Sequence, residues 1–266
     1  MLKRLPTLLV ACALLVSGCG ETASPEHADP APTSSESTHS PESSEPTTAP
    51  PPVPSRLPNS TPTATPAKPK PSSGAASKAR QRLAQLQIID RQPRGLRPYV
   101  RKEFGSSWSD IDRNGCNQRD DVLRRDATQD TLKTQWQGRC PHDVLAGTWI
   151  DPYTGKTLVF TDLKAPHQSR AIQIDHVVPL AEAWRSGAHA WDYEQRRQFA
   201  NTLDNLLAVD GPTNMSKGDD DPAAWRPRKG FQCSYAKRWI RVKHDWSLGA
   251  DKSEIRALGE MLDYCT

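Results

Sequence analysis

The stretch that decides the fold reads Gln173-Ile-Asp-His-Val-Val-Pro-Leu180 at its front and Leu203-Asp-Asn-Leu-Leu-Ala-Val-Asp-Gly-Pro-Thr-Asn-Met-Ser-Lys217 at its back. The front is a β-branched run carrying Asp175 and His176 side by side and stopped by Pro179, which predicts a strand that ends at a site. At the back, Leu206–Val209 predicts a short apolar strand, Asp210-Gly211 a turn, and Pro212 a first helical position. Asn214 and Lys217 follow three residues apart, so they share one face of that helix. The interval between the strands is long for a ββ connection and holds two helical patterns of its own, Leu180–Arg185 and Tyr193–Phe199.

Strand, strand and helix, with Asp-His, Asn and Asn-x-x-Lys placed along them, resemble the HNH (ββα-metal, His-Me finger) nuclease motif. The wider window, from Asp175-His-Val-Val-Pro-Leu-Ala-Glu-Ala-Trp184 through Asn205-Leu-Leu-Ala-Val-Asp-Gly-Pro-Thr-Asn214 to Gly218-Asp219, is similar to the secreted branch of that family related to the C-terminal domain of GmrSD-type restriction enzymes. The resemblance covers about Trp108 to Trp246, and only its 173–221 core is specific. It implies an α+β fold: a ββα-metal core embedded in a mainly helical domain with a small β-hairpin. It also implies a metal-dependent endonuclease acting on phosphodiester bonds of extracellular DNA, with RNA as an alternative substrate.

The chemistry explains the residue types. Hydrolysis of a phosphodiester needs an activated water, a cation on the phosphate oxygens and relief of charge on the leaving oxygen. A neutral imidazole accepts the water proton, which fits His176 as general base. The motif gives Asn205 the role of holding the ring, with Asn201 as a competitor. Asp175 and Asn214 offer oxygen ligands to a single divalent cation, and Lys217 a point charge for a phosphate. Asn214 stands where the family name has a second His, and an oxygen ligand there favours Mg²⁺ or Mn²⁺ over Zn²⁺. No Cys-x-x-Cys pair flanks the motif, so a structural zinc ribbon has no support.

Taken singly, each residue has a plainer reading: Asp-His as a strand-end cap, Asn214 as a helix cap, Lys217 as one more solvated lysine. Their joint spacing is what points to catalysis. A reading of another class is a catalytically idle ββα module that binds nucleic acid or cell wall; such a module has no need of an acid–base group beside metal ligands.

The chain opens with Lys3 and Arg4, then the apolar run Leu8–Val16, then Ser17-Gly18-Cys19. That run is too short to span a membrane and has the order of a secretory signal. Val16-Ser-Gly-Cys19 resembles a bacterial lipobox, so residues 1–18 read as a lipoprotein signal and Cys19 as the lipid-anchored first residue on the outer face of the cell membrane. Residues 19–78 hold 14 of the 24 prolines with Ser, Thr and Ala, a composition that cannot bury enough surface to fold and reads as a disordered tether. Residues 79–266 are left for one domain, long enough for a core.

The formal charge of +4 permits nucleic-acid binding without arguing for it. Arg119, Arg124-Arg125, Arg196-Arg197 and Arg226-Pro-Arg-Lys229 are basic clusters whose default is a solvated face. No segment calls for an obligate protein partner. Of six cysteines, Cys12 lies in the signal and Cys19 at the lipobox, leaving Cys116, Cys140, Cys233 and Cys265, an even number suited to disulfides in an exported domain. Three pairings exist, and local geometry favours Cys116–Cys140 and Cys233–Cys265. Phe231, Tyr235, Trp239, Val242 and Trp246 mark one amphipathic helix, and Asp251/Ser253 cap a second carrying Ile255, Leu258 and Leu262. Run antiparallel, the two bring Cys233 to Cys265. Upstream, a helix runs through about Asp126, and Val144–Ile150 and Lys156–Phe160 suggest a hairpin joined by Asp-Pro-Tyr-Thr-Gly. Asp112, Arg113 and Arg119 resemble the family's upstream segment, which would let Arg113 and Arg119 line a substrate groove; a salt-bridged scaffold around Cys116 is the equal alternative.

Overall fold

The computed structural model describes residues 74–265, so the expected signal, Cys19 and the tether up to residue 73 lie outside the described residues. In chain order the elements are helices α1 (Gly74–Gln85) and α2 (Gln118–Asp126), strands β1 (Lys133–Gln137), β2 (Cys140–Ile150) and β3 (Thr157–Phe160), helix α3 (Pro166–Ala171), strand β4 (Ile172–His176), helices α4 (Leu180–Arg185) and α5 (Tyr193–Asn201), strand β5 (Leu206–Asp210), and helices α6 (Gly211–Lys217), α7 (Lys229–Asp245) and α8 (Lys252–Leu262). A three-stranded antiparallel sheet, ordered β1-β2-β3, and a separate antiparallel β4-β5 ribbon accompany the helices. The fold is mixed α+β. No described helix is long and apolar enough to cross a membrane.

Two differences from the sequence reading have simple causes. Helix α1 begins at Gly74, so residues 74–78, assigned to the tether by composition, are helical; Ala76, Ala79 and Leu83 recur at helical spacing and are buried. Strand β1 had no signal, because all five residues of Lys-Thr-Gln-Trp-Gln are exposed. It belongs to the sheet through backbone pairing with β2 and, as a polar, irregularly registered edge strand, shows no alternation to read.

Strand β5 is buried on both faces, which is why its sequence runs apolar without alternating, whereas β4, Ile-Gln-Ile-Asp-His, brings its polar residues to the cleft. Ile172 and Ile174, with Leu206 and Ala208 of the paired strand, join one core with Val122, Val144 and Trp149. Leu207 and Val209 turn the other way, into a core with Trp184, Tyr235, Trp239 and Leu258. The ribbon is thus the partition between two apolar clusters. Gly211 permits the sharp passage into α6, since a Cβ there would lie 2.7 Å from the Arg170 carbonyl oxygen. Asp210 caps the helix by accepting from the Thr213 backbone N–H at 3.1 Å, and Pro212 occupies the second helical position rather than the first.

The four cysteines close Cys116–Cys140 and Cys233–Cys265, with Cα separations of 4.4 and 5.1 Å. The second ties the start of α7 to the chain just past α8. Asp251 caps α8 by accepting from the Ser253 and Glu254 N–H groups. Buried Lys243 binds α4, α7 and α8 together through Glu182, Glu254 and the Gly249 carbonyl at 2.7, 2.8 and 2.8 Å. Replacing Cys233 and Cys265 together by Ser should cost about 2–5 kcal/mol. A urea midpoint unchanged from the parent would show that the helical hairpin does not depend on the link.

Candidate active site

Strand β4 ends at His176, where Asn205 fixes the path of the chain. The Asn205 Oδ1 accepts from Val178 N–H at 2.8 Å, its Nδ2 donates to the Val178 carbonyl at 3.1 Å, and its own carbonyl accepts from Val177 N–H at 2.8 Å. All of its side-chain capacity in these contacts goes to backbone, so Asn205 does not hold the imidazole as the sequence reading had it. Asn201 does not either: its Oδ1 accepts from Ser109 N–H at 2.9 Å and its Nδ2 donates to the Arg197 carbonyl. The ring is held by a backbone group, the Ala200 carbonyl, 2.8 Å from His176 Nε2. Nε2 must therefore carry the proton and Nδ1 the lone pair.

Burial depresses the His176 pKa to about 3, with the Ala200 bond opposing the shift and the charges of Arg101 and Lys217 adding to it. At neutral pH the imidazole is uncharged. Trp108 lies parallel to it, ring centroids 6.1 Å apart and planes 12° apart. Trp108 has φ 59°, a left-handed conformation that a bulky residue adopts only when its surroundings impose it.

As neighbours on a strand, Asp175 and His176 turn to different faces of the ribbon, and both reach one cleft at the strand's end. The Asp175 Oδ1 accepts from Lys217 Nζ at 2.9 Å and its Oδ2 from the Tyr153 hydroxyl. Burial raises the Asp175 pKa, against the opposing Lys217 ammonium and Tyr153 hydroxyl, and burial lowers that of Lys217. Burial also lifts the Tyr153 pKa well above its ordinary value, so Tyr153 stays a donor. Lys217 is fully buried, and its Nζ also donates to the His176 carbonyl at 3.0 Å. This differs from its expected role: α6 packs on β4 with the face that Asn214 and Lys217 share, so Lys217 lies beneath the site with its ammonium on Asp175 and the His176 carbonyl.

Asn214 stays half-buried at the surface of that face. Its Nδ2 donates to Gln173 Oε1 at 2.9 Å, which leaves its carbonyl oxygen as the open acceptor. Asp175, His176 and Asn214 line one cleft of about 300 Å³ together with Tyr99, Arg101 and Asp219. The donor set suits a hard divalent cation, since the Asn214 Oδ1 is available and each Asp175 oxygen keeps a lone pair after accepting one bond. Lys217 cancels the Asp175 charge, so that set would bind a cation weakly on its own. The His/Cys cluster of Cys116, Cys140 and His142 offers no second centre, because its two sulfurs form the disulfide.

Two contributors had no sequence signal. Tyr153 comes from the Asp-Pro-Tyr-Thr-Gly turn, which Asp151 anchors by accepting from Thr154 N–H at 2.9 Å and from Asp210 N–H at 3.2 Å. Arg101 sits in a 3₁₀ turn, Arg101–Phe104, secured by fully buried Phe104 and by the Arg196–Glu103 ion pair at 3.1 Å. It has no carboxylate partner among the described residues, a buried Nη1 with no hydrogen bond, and one long contact of 3.4 Å to Ser107 Oγ.

The expected basic clusters are largely committed to the protein itself. Arg119 donates to the Ser169 and Ile172 carbonyls, Arg125 pairs with Asp126, and Arg196, Arg197 and Arg226 pair with Glu103, Glu194 and Glu260. Arg113 is exposed, with φ 59°, and neither it nor Arg119 lines the cleft.

No solved structure matches this chain. A curated protein of Arthroderma benhamiae, described as an uncharacterized secreted protein, is 37% identical over 198 residues, covering 73% of this chain and 88% of that protein. Residues 117–261, which include the ribbon, α6 and the Asp175–His176 strand end, match the model for the C-terminal domain of GmrSD restriction endonucleases. The chain belongs to that family.

Proposed function

We propose that this protein is an HNH-type, metal-dependent endonuclease that hydrolyses phosphodiester bonds of extracellular DNA. The observation that carries this reading is one cleft lined by a neutral imidazole with its Nδ1 unprotonated, two oxygen ligands and an arginine without a carboxylate partner among the described residues. His176 takes the proton of the attacking water at Nδ1, and Ala200 and Trp108 hold its ring. Arg101 receives the phosphate oxygens through its planar donors. The incoming phosphate also offsets the Arg101 charge that weakens the base. Asn205 and Lys217 act as positioning residues: the first fixes the turn after His176, the second holds the Asp175 carboxylate and the His176 carbonyl. Asp175 and Asn214 would hold Mg²⁺ or Mn²⁺. That cation, when bound, supplies charge stabilisation at the phosphate and the leaving oxygen.

The test is the Mg²⁺ concentration that gives half-maximal DNA cleavage. Asn214→Ala should raise it by about tenfold or more, the least that losing even an outer-shell partner costs. A variant that titrates like the parent would make Asn214 only the partner of Gln173.

Two disulfides suit an oxidising compartment, and the fungal relative is named as secreted. We infer that the chain is exported, with residues 1–18 as signal, Cys19 as lipid anchor and the Pro-rich segment as tether to the nuclease domain. Metabolic labelling should place lipid on the parent but not on Cys19→Ala; an unlabelled parent makes it a plain secreted enzyme.

A further inference from the structure

Helix α1 contains Lys78, Arg80 and Arg82 and no acidic residue, and α7 contains a single one, Asp245 at its last position. Between these helices runs a groove of about 370 Å³ lined by Lys78, Arg82, Lys237, Arg238 and Arg241, with Ala79 and Phe231 as apolar surface and no carboxylate. Five cations around one concave surface repel one another, and a fold gains nothing from that unless an anion joins them.

Neighbouring carboxylates relieve two of the five and leave three without an ion pair among the described residues. Arg82 lies 3.8 Å from Asp245, and Arg241 2.9 Å from Asp204. Lys78, Lys237 and Arg238 have no ion pair among the described residues. Arg241 Nε is buried without a hydrogen-bond partner. Burial lowers the Arg238 pKa, and the nearby charges of Arg125 and Arg241 push it the same way against Asp126 and Asp204.

We propose that the α1/α7 groove is a nucleic-acid exosite that grips the phosphate backbone at a distance from the bond being cut. This rests on the nuclease reading for its biological sense but not for its test. Two features favour nucleic acid over an anionic membrane surface. The site is a groove between two helices, which fits a polymer strand better than a plane of headgroups. At the groove, Arg238 donates to the Leu206 carbonyl at 3.1 Å, and Leu206 is the strand residue paired with His176. Arg125, paired with Asp126, donates to the same carbonyl at 2.7 Å, so the groove adjoins the ribbon's end. Phe231 supplies a partly exposed ring on which a base can stack.

The experiment compares the mature chain with Lys78→Ala/Lys237→Ala, neither residue belonging to the cleft. Binding of a short labelled DNA duplex is followed by fluorescence anisotropy in EDTA, so that nothing is cut, over a range of salt. The double variant should bind on the order of tenfold more weakly, and its slope of log affinity against log salt should fall by about 2, one for each phosphate that a lysine no longer neutralises. Its melting temperature and its rate on a small diester, bis(p-nitrophenyl) phosphate, should match the parent. Parental affinity and slope in the variant would overturn the exosite. So would loss of binding to phosphatidylserine vesicles with DNA affinity retained, which would make the groove a membrane contact. A parent that binds the duplex through these lysines yet cuts no diester would refute the nuclease reading and leave the exosite standing.

Discussion

His176→Ala should lower the rate of DNA cleavage by about 10² to 10⁴, the usual loss when a general base is removed, while DNA affinity and folding stay close to the parent. The half-buried imidazole makes one side-chain hydrogen bond, to Ala200, so its removal leaves no buried charge unpaired. The pH profile checks the same assignment from another side. A base with a folded pKa of about 3 is unprotonated throughout the neutral range. Activity is then retained as pH falls through 6.5, where a free imidazole would titrate, and is lost only toward the folded value. An acid limb of kcat/KM centred near 6.5 would mean that the working base is not this imidazole. The linkage has the matching sign: the unfolded chain takes up the His176 proton below about 6.5 and the native chain does not, so this group makes the fold less stable as pH falls from there toward 3.

Lys217→Ala should act on stability before it acts on catalysis. Removing one partner of a buried ion pair leaves the other charge without compensation, at a cost of about 3–5 kcal/mol. Here the stranded group is Asp175, which keeps only the Tyr153 hydroxyl. Adding Asp175→Asn to Lys217→Ala should recover part of the lost stability, because the buried charge goes with its partner. Urea unfolding of the two single variants and the double closes the cycle. A Lys217→Ala protein as stable as the parent, with weakened DNA binding, would return this lysine to the phosphate contact its sequence position suggested.

That revision shows where the sequence stops informing. Strands β4 and β5, the helices between them and the α7-α8 hairpin were readable because each imposes a period on its residues, or a solid apolar run where both faces are buried. The three-residue step from Asn214 to Lys217 correctly put them on one face of α6. It carried no information on what covers that face, and packing against β4 leaves the first at the cleft and the second beneath it. The role expected of Asn205 failed for another reason. A backbone carbonyl can orient an imidazole, and the Ala200 carbonyl leaves no mark on residue identity. Arg101 and Tyr153 lie in a loop and a turn remote in sequence from Asp175, where neither periodicity nor spacing links them to the site. The α1/α7 groove was hidden likewise, since its lysines and arginines come from two helices at opposite ends of the domain.

The measurement that bears most directly on the central claim is the nicking of supercoiled plasmid by the mature chain, the parent beside His176→Ala, in Mg²⁺ and in EDTA. The expected result is nicking by the parent in Mg²⁺, none in EDTA, and a loss of about 10² or more in the folded variant. Nicking by His176→Ala within a few-fold of the parent would contradict it. So would a folded parent that binds DNA yet leaves the plasmid intact with Mg²⁺ and with Mn²⁺, the behaviour of an idle binding module.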